Sequence, residues 1–345
     1  MTLVPPQPTL WEPSWGKFIV GRYCIVLRLA VAIVAAVCAS LAAAQAAFPT
    51  RPIKLVVPYQ PGALTDVLAR SFGQRLAAAM MQPVIIDNKP GAGTLIGAEL
   101  VAKSPPDGYT LLMATSTTLG ISPLLYQPSP IDPVKDFAPI SRVGSVNFFL
   151  IANPGFPAKN VNEMLDAIRH APGKYNYASV GSGSPHHLFM EILKSEYGLD
   201  LQHIPYKGTP AALSDLIAGR IDVMFADATV AVPNIHAGKV TALGTSAAKP
   251  TSLVPSVAPI AAAVPGFDWQ AWQGIVAPAG TPQEIVDRLW VELQKIEETA
   301  QFRQELFNFG MEPVSRQTPG EFAAIIKAEQ PRWATAIRNS GARVD

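Results

Sequence analysis

The chain alternates short runs of β-branched and aromatic residues with longer segments that carry one apolar face. The run Ile53–Val57, for example, precedes residues 65–80, in which Leu68, Phe72 and Leu76 recur at four-residue spacing on one side of a helix. A helix between two strands returns the chain to the same edge of a sheet, so that the strands run parallel. The alternation therefore predicts an α/β protein whose sheets are mostly parallel and flanked by helices.

The same patterns predict further strands and helix starts along the chain. Strands are predicted at 84–86, 109–113, 148–152, 175–178, 221–225 and 240–243. One helix is predicted to begin at Asn160, with Glu163 three residues later as in a capping box. Proline suits the first helical position because its missing N–H would have no partner there, and this pattern predicts helix starts at Ser184–Pro185, Thr209–Pro210, Thr281–Pro282 and Thr318–Pro319.

Length and composition limit the classes of protein to which the chain can belong. Its 345 residues exceed one ordinary domain, so two domains are expected, and 49% apolar residues supply a sizeable core. The formal net charge is +1, with acidic and basic residues interspersed. Because nucleic-acid binding needs a clustered excess of lysine and arginine, no nucleic-acid partner is expected.

Residues 1–46 have the features of a secretory signal peptide. Basic residues precede the apolar run 29–37, and the small residues of 42–47 follow it. The alternative is a retained membrane anchor, but the apolar core is nearer to about 15 residues than to the roughly 20 that a spanning helix needs. We therefore expect export to the periplasm and a mature chain that begins near Ala47.

Both cysteines of the chain, Cys24 and Cys38, fall within this leader. A lipid anchor on Cys38 is a second alternative, although Val37 is a poor residue directly before a lipidated cysteine. Removal of the leader leaves a chain without cysteine, so we expect neither a disulfide framework nor a thiol nucleophile.

The segment 58–66 links the first predicted strand to the first predicted helix through a Pro-Gly turn. Backbone N–H groups at such a helix start, together with the helix dipole, attract anions. The alternative is an ordinary turn in which Thr65 or Asp66 caps the helix. The sequence leaves both interpretations of this turn open.

The segment 179–187 is a second strand-to-helix turn of this kind. Its two glycines let a ligand approach the backbone, while Ser182 and Ser184 supply hydroxyls and His186 supplies a switchable donor. The alternative is a solvent-exposed turn with a solvated histidine. Two anion-attracting helix starts in different halves of one chain favour the binding of an anionic ligand.

Enzymatic and cofactor sites find less support in the sequence. Residues 88–97 superficially resemble a dinucleotide-binding loop, but the loop is too long and lacks the acidic residue that ribose recognition requires. Neither Ser182 nor Ser184 lies in a nucleophile elbow, and the five histidines lack metal-ligand spacing. Asp227, at the end of a predicted strand, is interpreted as a ligand-orienting or capping residue in preference to a general base. We expect no catalysis, no cofactor and no metal.

Six motifs follow one another in a distinctive order. They are Pro-x-x-Pro-Gly-x-x-x-Asp (58–66), Asp-Asn-Lys-Pro-Gly-Ala-Gly (87–93), Pro-Asp-Gly-Tyr-Thr-Leu (106–111), Tyr-Ala-Ser-x-Gly-x-Gly-Ser-x-x-His (177–187), His-Ile-Pro-Tyr-Lys-Gly (203–208) and Ala-Gly-x-Ile-Asp-x-Met-Phe-x-Asp (218–227). In this order they closely resemble the extracytoplasmic receptors of tripartite tricarboxylate transporters, the Bug or TctC-type family. The resemblance extends over essentially the whole mature chain.

The resemblance implies a two-lobed periplasmic-binding-protein fold of type II, with the ligand cleft between the lobes. Lobe 1 would be discontinuous, formed by 47–147 plus 270–345, and lobe 2 would comprise 148–269. The β-rich run 267–274 would lie close to the crossing between the lobes, where Trp272 is expected to respond to their closure.

The resemblance also implies which residues bind the ligand. In this family, carboxylates are held between the lobes by the Pro-Gly loop, the loop after the 109–114 strand and the glycine–serine loop. Carried onto this sequence, these loops and the strand end supply Gly62, Ala63, Thr65, Asp66, Thr115, Ser116, Gly181, Ser182, Gly183, Ser184, His186 and Asp227. Many relatives have a second glycine in place of Ala63, so the pose of the carboxylate is expected to differ here.

The partners and the mode of action also follow from the resemblance. Such a receptor closes over a small mono- or dicarboxylate and presents it to the membrane permease of a tripartite transporter. It is expected to act as a monomer. The alternatives are a non-acidic ligand such as an aromatic amide or a polyol, a sensor kinase as the partner, and an enzyme that reuses the fold.

Overall fold

The structure, a computed structural model, describes residues 48–343. The described residues fall into two units, 48–50 and 51–343, and every helix and strand named below belongs to the second unit. Residues 48–50, the described part of the first unit, contain no helix or strand. The predicted signal peptide, residues 1–46, lies outside the described residues. Within the described range, no helix is both long and apolar enough to cross a membrane.

The strands of the described chain are short and well separated in sequence. They are β1 (Ile53–Val57), β2 (Val84–Asn88), β3 (Thr110–Thr115), β4 (Phe137–Val146), β5 (Phe148–Ala152), β6 (Tyr175–Ser179), β7 (Leu201–Pro205), β8 (Val223–Asp227), β9 (Thr241–Thr245), β10 (Ala271–Pro278) and β11 (Met311–Pro313). The strands predicted from the sequence correspond to β1, β2, β3, β5, β6, β8 and β9, with small shifts at their ends.

Helices connect most of these strands. They are α1 (Leu64–Met80), α2 (Leu95–Ala102), α3 (Ser122–Leu125), α4 (Val161–His170), α5 (Pro185–Tyr197), α6 (Thr209–Ile217), α7 (Ala228–His236), α8 (Gln283–Glu297), α9 (Ala300–Asn308) and α10 (Pro319–Ser340). Short 3₁₀ turns lie at Ala92–Thr94 and Ile260–Ala262, and a π-helical turn at Thr117–Ile121 follows β3.

Three of the predicted helix caps are confirmed, and two are wrong. The side chains of Asn160, Ser184 and Thr318 each accept the backbone N–H three residues later. Thr209 is instead the first residue of α6, and the cap position before it is occupied by Gly208, which has no side chain to cap the helix. Thr281 lies two residues before α8, and its hydroxyl donates to a carbonyl of the preceding turn at 2.8 Å. Because that hydroxyl closes the turn, it does not cap the helix.

The strands form two separate sheets. The first sheet has the strand order β11-β4-β10-β3-β1-β2, and the second has the order β7-β6-β8-β5-β9. The pairs β1–β2, β1–β3, β6–β7 and β6–β8 are parallel, whereas the pairs that involve β4, β5 or β10 are antiparallel. The sheets are therefore mixed. The alternation of strands and helices predicts mostly parallel sheets, and it misses the antiparallel pairs.

The antiparallel pairs arise where the chain passes between the sheets. Only Asn147 separates β4 of the first sheet from β5 of the second, so no helix intervenes to return the chain to its starting edge. Strand β10 brings the chain back into the first sheet, between β4 and β3. Because β4 leaves toward the second sheet and β10 returns from it, these two strands run in opposite directions.

Ser246 joins the two crossing segments. Its N–H donates to the carbonyl of Phe148 at 2.8 Å, and its hydroxyl accepts the N–H of Phe148 at 3.1 Å. Its carbonyl accepts the N–H of Trp269, just before β10, at 2.9 Å. Ser246 is fully buried, so these hydrogen bonds form in a medium where electrostatic interactions are stronger than in water.

Each sheet has its own hydrophobic core, and we call each sheet with its packed helices a lobe. Val56 and Trp272 belong to the core of the first lobe, and Phe149 and Met224 belong to the core of the second. The residue boundaries of the lobes given above stay a prediction. What the packing establishes is two cores joined by the crossing segments.

Glu297, at the end of α8, is a half-buried acid in the first lobe. Its Oε1 accepts a hydrogen bond from Ser141 Oγ at 2.7 Å, and its Oε2 accepts one from Gln294 Nε2 at 2.6 Å. Burial raises the pKa of Glu297 from 4.5 to about 7, and the two hydrogen bonds oppose only part of this rise. The native state therefore retains a proton at pH values where the unfolded chain has released it.

The variant Glu297→Gln should change the pH dependence of stability. Because the native-state pKa is raised, this carboxyl stabilises the fold fully below pH 4.5, and that stabilisation is lost as the pH rises through about 7. At about pH 8 the variant should have a free energy of unfolding higher than the wild type by roughly 1–2 kcal/mol. Denaturant titrations at about pH 8 and at about pH 4.5 measure the difference.

The neighbouring variant Glu298→Gln is the control, because the Glu298 side chain is 49% exposed. The charge of Glu298 is the smallest cause of the raised Glu297 pKa, so this variant should reduce the pH dependence only slightly. If Glu297→Gln raised the free energy of unfolding by the same amount at both pH values, the raised pKa of Glu297 would be contradicted.

Candidate functional site

A cavity of about 270 Å³ lies between the two lobes, beside the crossing segments. The first lobe contributes the loop after β1, the start of α1, the end of β3 and the start of β10. The second lobe contributes the start of β5 and the starts of α5 and α7. The cavity is therefore built at the ends of strands and the N-termini of helices, where binding sites of α/β proteins usually lie.

The structure brings half of the sequence-predicted site residues into the wall of this cavity. The residues that line it are Ala63, Thr65, Thr115, Ser116, His186 and Asp227. The other six lie in the same loops without lining the cavity; they are Gly62, Asp66, Gly181, Ser182, Gly183 and Ser184. Their role in ligand binding stays a prediction.

Helix α1 points its N-terminus at the cavity. Its cap residue Ala63 has an extended backbone and makes no side-chain hydrogen bond to the helix. The first N–H groups of a helix have no partner within it, and they carry the positive end of the helix dipole. Ala63, Leu64 and Thr65 all line the cavity, so this helix start presents an electropositive end to it.

Asp66 holds the loop in front of α1 instead of facing the cavity. Its Oδ2 accepts the N–H of Gly62 at 2.9 Å and Nε of Arg70 at 3.0 Å, and its Oδ1 accepts Nδ2 of Asn88 at 2.8 Å. Burial would raise the pKa of Asp66, but these hydrogen bonds hold it below its ordinary value. The loop with its left-handed Gly62 is therefore fixed, and the charge of Asp66 is paired with Arg70.

The end of β3 presents one paired and one unpaired hydroxyl. Thr115 Oγ1 lies 3.0 Å from the hydroxyl of Tyr59 and 3.0 Å from that of Thr118. Burial raises the pKa of Tyr59, so its phenol remains protonated. Ser116 is fully buried, and its Oγ has no hydrogen-bond partner in the described part of the chain. A buried hydroxyl of this kind needs a partner from outside the protein.

The glycine–serine loop before α5 is closed by its own hydrogen bonds. Ser184 Oγ donates to the carbonyl of Gly181 at 2.7 Å and accepts the N–H of His187 at 3.3 Å. The N–H of Gly183 in turn donates to Nδ1 of His187 at 3.1 Å. Ser184 therefore acts as a helix cap here, and the loop fixes the start of α5, where His186 is the second residue.

His186 lies at the start of α5 with its ring in the cavity wall. Only 8% of the residue is exposed, and neither ring nitrogen has a hydrogen-bond partner among the described residues. The ring packs edge-to-face against Phe148 at 5.0 Å between centroids. Burial holds the pKa of His186 well below its ordinary value, although the carboxylate of Asp227 opposes part of this shift. The neutral imidazole supplies one donor and one acceptor at neutral pH.

Asp227, the last residue of β8, lies beside His186. Its Oδ2 is 4.0 Å from Nε2 of His186, beyond hydrogen-bonding distance, and its Oδ1 accepts a hydrogen bond from the hydroxyl of Thr229. This places a carboxylate in the wall of the cavity next to a neutral histidine.

Sequence reasoning missed several residues that line the cavity. They are Tyr59, Leu64, Thr117, Val146, Phe148, Pro185, Thr229, Ala271, Trp272 and Gln273. Gln273 is the most informative of them, because it is buried and its Oε1 has no partner in the described chain. A buried glutamine in an otherwise apolar strand was the sequence signal that could have identified it.

The lobes also touch beside the cavity. A Cβ atom added at Gly183 would lie 2.3 Å from Cδ1 of Leu125, at the end of α3. Trp333 of α10 packs at 6.2 Å between ring centroids from Phe189 of α5 and at 4.8 Å from Trp269. These contacts join a helix of one lobe to a loop or helix of the other, so the cavity is enclosed between them.

Two larger cavities have different walls. One of about 330 Å³ lies between α5 and α10, and another of about 530 Å³ lies between α1 and α9. Neither is lined by a buried polar side-chain atom without a partner. The inter-lobe cavity is lined by three such residues, Ser116, His186 and Gln273. This difference identifies it as the candidate binding site.

The chemistry of the inter-lobe cavity suits recognition of a small polar molecule. Its polar groups are hydroxyls, an amide, a neutral imidazole, one carboxylate and the start of α1. None of its described lining residues is a lysine or arginine. Within residues 48–343, no group of three or more His, Cys, Asp or Glu side chains is arranged to hold a metal ion.

Known proteins share both sequence and fold with this chain. The sequence model of the tripartite tricarboxylate transporter family receptor matches residues 68–342. A UPF0065 protein in the tcbD-tcbE intergenic region of Pseudomonas sp. (strain P51) is 36% identical over 293 residues, which cover 84% of this chain and 87% of that protein.

Two solved structures are similar as well. The periplasmic binding protein BugD is 32% identical with a TM-score of 0.70, covering 86% of this chain and 99% of that one. MatC from Rhodopseudomonas palustris, solved with bound malate, is 31% identical with a TM-score of 0.70, covering 84% and 100% of the two chains. The predicted two-lobed fold of periplasmic binding proteins is confirmed.

The variant Ser116→Ala should not destabilise the ligand-free protein, although Ser116 is fully buried. An unpartnered buried hydroxyl carries a desolvation cost of roughly 1–3 kcal/mol, which the substitution removes. We expect a melting temperature equal to or above that of the wild type, measured by thermal unfolding.

Ser122→Ala is the matched control, since Ser122 is also buried but donates to the carbonyl of Gly93 at 2.5 Å. It should lower stability by about 1 kcal/mol. Equal losses of stability in both variants would contradict the absence of a hydrogen-bond partner for Ser116 among the described residues.

Proposed function

This chain belongs to the tripartite tricarboxylate transporter receptor family, and on that basis we propose that it is an extracytoplasmic receptor that captures a small mono- or dicarboxylate between its lobes. The observation that carries the proposal is the wall of the inter-lobe cavity. Ser116 and His186, from opposite lobes, present buried polar atoms without partners there, beside the N-terminus of α1.

The chemistry of these groups favours a carboxylate over an uncharged ligand. A carboxylate accepts several hydrogen bonds at once, and helix N–H groups and hydroxyls are donors suited to it. The electropositive end of α1 adds a favourable potential that an uncharged molecule uses less well. MatC, a structural relative, was solved with malate, and the same ligand class is our proposal for this chain.

Capture by closure of the lobes is part of the proposal. The cavity takes its wall from both lobes, so a bound molecule would contact both and favour the closed arrangement over the open one. The contact of Leu125 with Gly183 would break if the lobes opened. Trp333 and Trp269, which meet Phe189 of α5, would change their surroundings together with Trp272.

We also propose that the protein works outside the cytoplasmic membrane, after removal of residues 1–46, and delivers its ligand to a permease of a tripartite transporter. Membership in a family of transporter receptors supports this placement. The basic, apolar and small-residue segments of the leader support the export.

A ligand screen tests the proposal. At least one small mono- or dicarboxylate should raise the melting temperature of refolded, ligand-free protein, because a ligand that binds only the native state stabilises it. The amide of the same acid should give little or no shift. With the acid present, the radius of gyration from solution scattering should fall as the lobes close.

The variant His186→Ala should weaken binding of that acid by roughly 1–3 kcal/mol, measured by calorimetry, because one buried partner of the ligand is lost. Without ligand the variant loses only the packing of the ring against Phe148 and no hydrogen bond within the described chain, so its unfolding temperature should fall modestly. If only uncharged compounds stabilise the protein, the carboxylate proposal is wrong.

A further inference from the structure

Asp227 is the one formally charged side chain among the described residues that line the inter-lobe cavity, because His186 is neutral there. A carboxylate in the wall of a site that binds a carboxylate ligand is unexpected on electrostatic grounds. Like charges within a small cavity repel, and burial from water strengthens the repulsion. The position of Asp227 therefore indicates something about the ligand.

The carboxylate of Asp227 is only partly satisfied by the protein. The hydroxyl of Thr229 donates to Oδ1. Oδ2 lies 4.0 Å from Nε2 of His186, and no described lysine or arginine side chain forms an ion pair with Asp227. A neutral histidine at that distance does not cancel the negative charge. Asp227 thus offers an acceptor with a full charge to a molecule in the cavity.

The two acidic residues near the cavity, Asp66 and Asp227, differ in how far the protein pairs their charges. Asp66 is turned away from the cavity and is paired with Arg70, with further hydrogen bonds from Gly62 and Asn88. The start of α1 therefore keeps its electropositive character on the cavity side. Asp227 itself lies at the N-terminus of α7, without a side-chain hydrogen bond to that helix. The cavity wall therefore combines electropositive helix starts with one negatively charged side chain.

Apolar side chains also line the cavity. Val146, Phe148 and Trp272 all contribute to its wall, and Phe148 pairs directly with Asp227 across the second sheet. Such surfaces suit the carbon skeleton of a small molecule. A ligand that matches this wall carries an anionic group, an apolar middle and a cationic or strongly donating group.

We propose that the natural ligand is a small zwitterion, with a carboxylate at the α1 start and Ser116 and a protonated amine or similar cationic nitrogen at Asp227. The inference rests on the proposed receptor function and narrows its ligand class. An ammonium group would donate a charge-assisted hydrogen bond to Asp227. A second carboxylate would meet a like charge there, and the described lining residues include no lysine or arginine to offset it.

A homologous series of ligands tests the inference. Refolded, ligand-free protein is titrated by calorimetry with ω-amino and α-amino acids of two to six carbons. The same skeletons are then tested with the amine replaced by a carboxylate, a hydroxyl or hydrogen. For at least one skeleton, the amino acid should bind at least about tenfold more tightly than its diacid, hydroxy and unsubstituted counterparts.

The variant Asp227→Asn keeps the shape of the side chain and removes its charge. It should weaken binding of the preferred amino acid at least about tenfold and leave binding of the matching diacid unchanged or stronger. Asp166→Asn is the control for net charge, because the Asp166 side chain in the same lobe is 69% exposed. It should leave all these affinities unchanged, and circular dichroism checks that both variants are folded.

Three results would overturn the inference, and they are distinguishable. A wild-type protein that prefers diacids or hydroxy acids would contradict the zwitterion while leaving the receptor proposal intact. Equal weakening of every ligand by Asp227→Asn would show that Asp227 only shapes the site. Binding of uncharged compounds alone would contradict the proposed function itself.

Discussion

The two lobes are joined where the chain crosses between the sheets, and Ser246 binds the outgoing segment at Phe148 to the returning segment at Trp269. Much of the structure follows from this pair of crossings. They make β4 and β10 antiparallel and bring Phe148 and Gln273 into the wall of one cavity. In these segments the chain passes from one lobe to the other, which is where the hinge of a closing motion would lie.

The contacts of the titratable side chains determine the electrostatics of the cavity next to the crossings. Asp66 is buried, but its hydrogen bonds to Gly62, Arg70 and Asn88 direct it into the loop. His186 is neutral because burial disfavours its charged form. The electrostatic character of the cavity therefore comes mainly from the helix starts in its wall, those of α1, α5 and α7, and from Asp227. Under the proposed function, these groups would let a receptor without a lysine or arginine in its described cavity wall recognise an acid.

Much of the fold could be predicted from the sequence because its signals are local. Strand composition, the capping of Asn160 and Thr318 and the loops before α1 and α5 depend on neighbouring residues. Strand direction depends on where the chain crosses between the sheets. A pattern read one strand and helix at a time does not show these crossings, so the antiparallel pairs could not be predicted. The position of Gln273 in the cavity wall could not be predicted for the same reason, because its neighbours in the cavity are distant in sequence.

The central claim, capture of a small acid between the lobes, is tested most directly by the molecule that the protein carries when it is isolated without refolding. Native mass spectrometry of protein from a periplasmic extract, followed by denaturation, releases and identifies that molecule. The account predicts one small compound per chain that contains a carboxylate, and its loss from the His186→Ala variant. An uncharged compound bound at one per chain, or an acid retained equally by the variant, would contradict it.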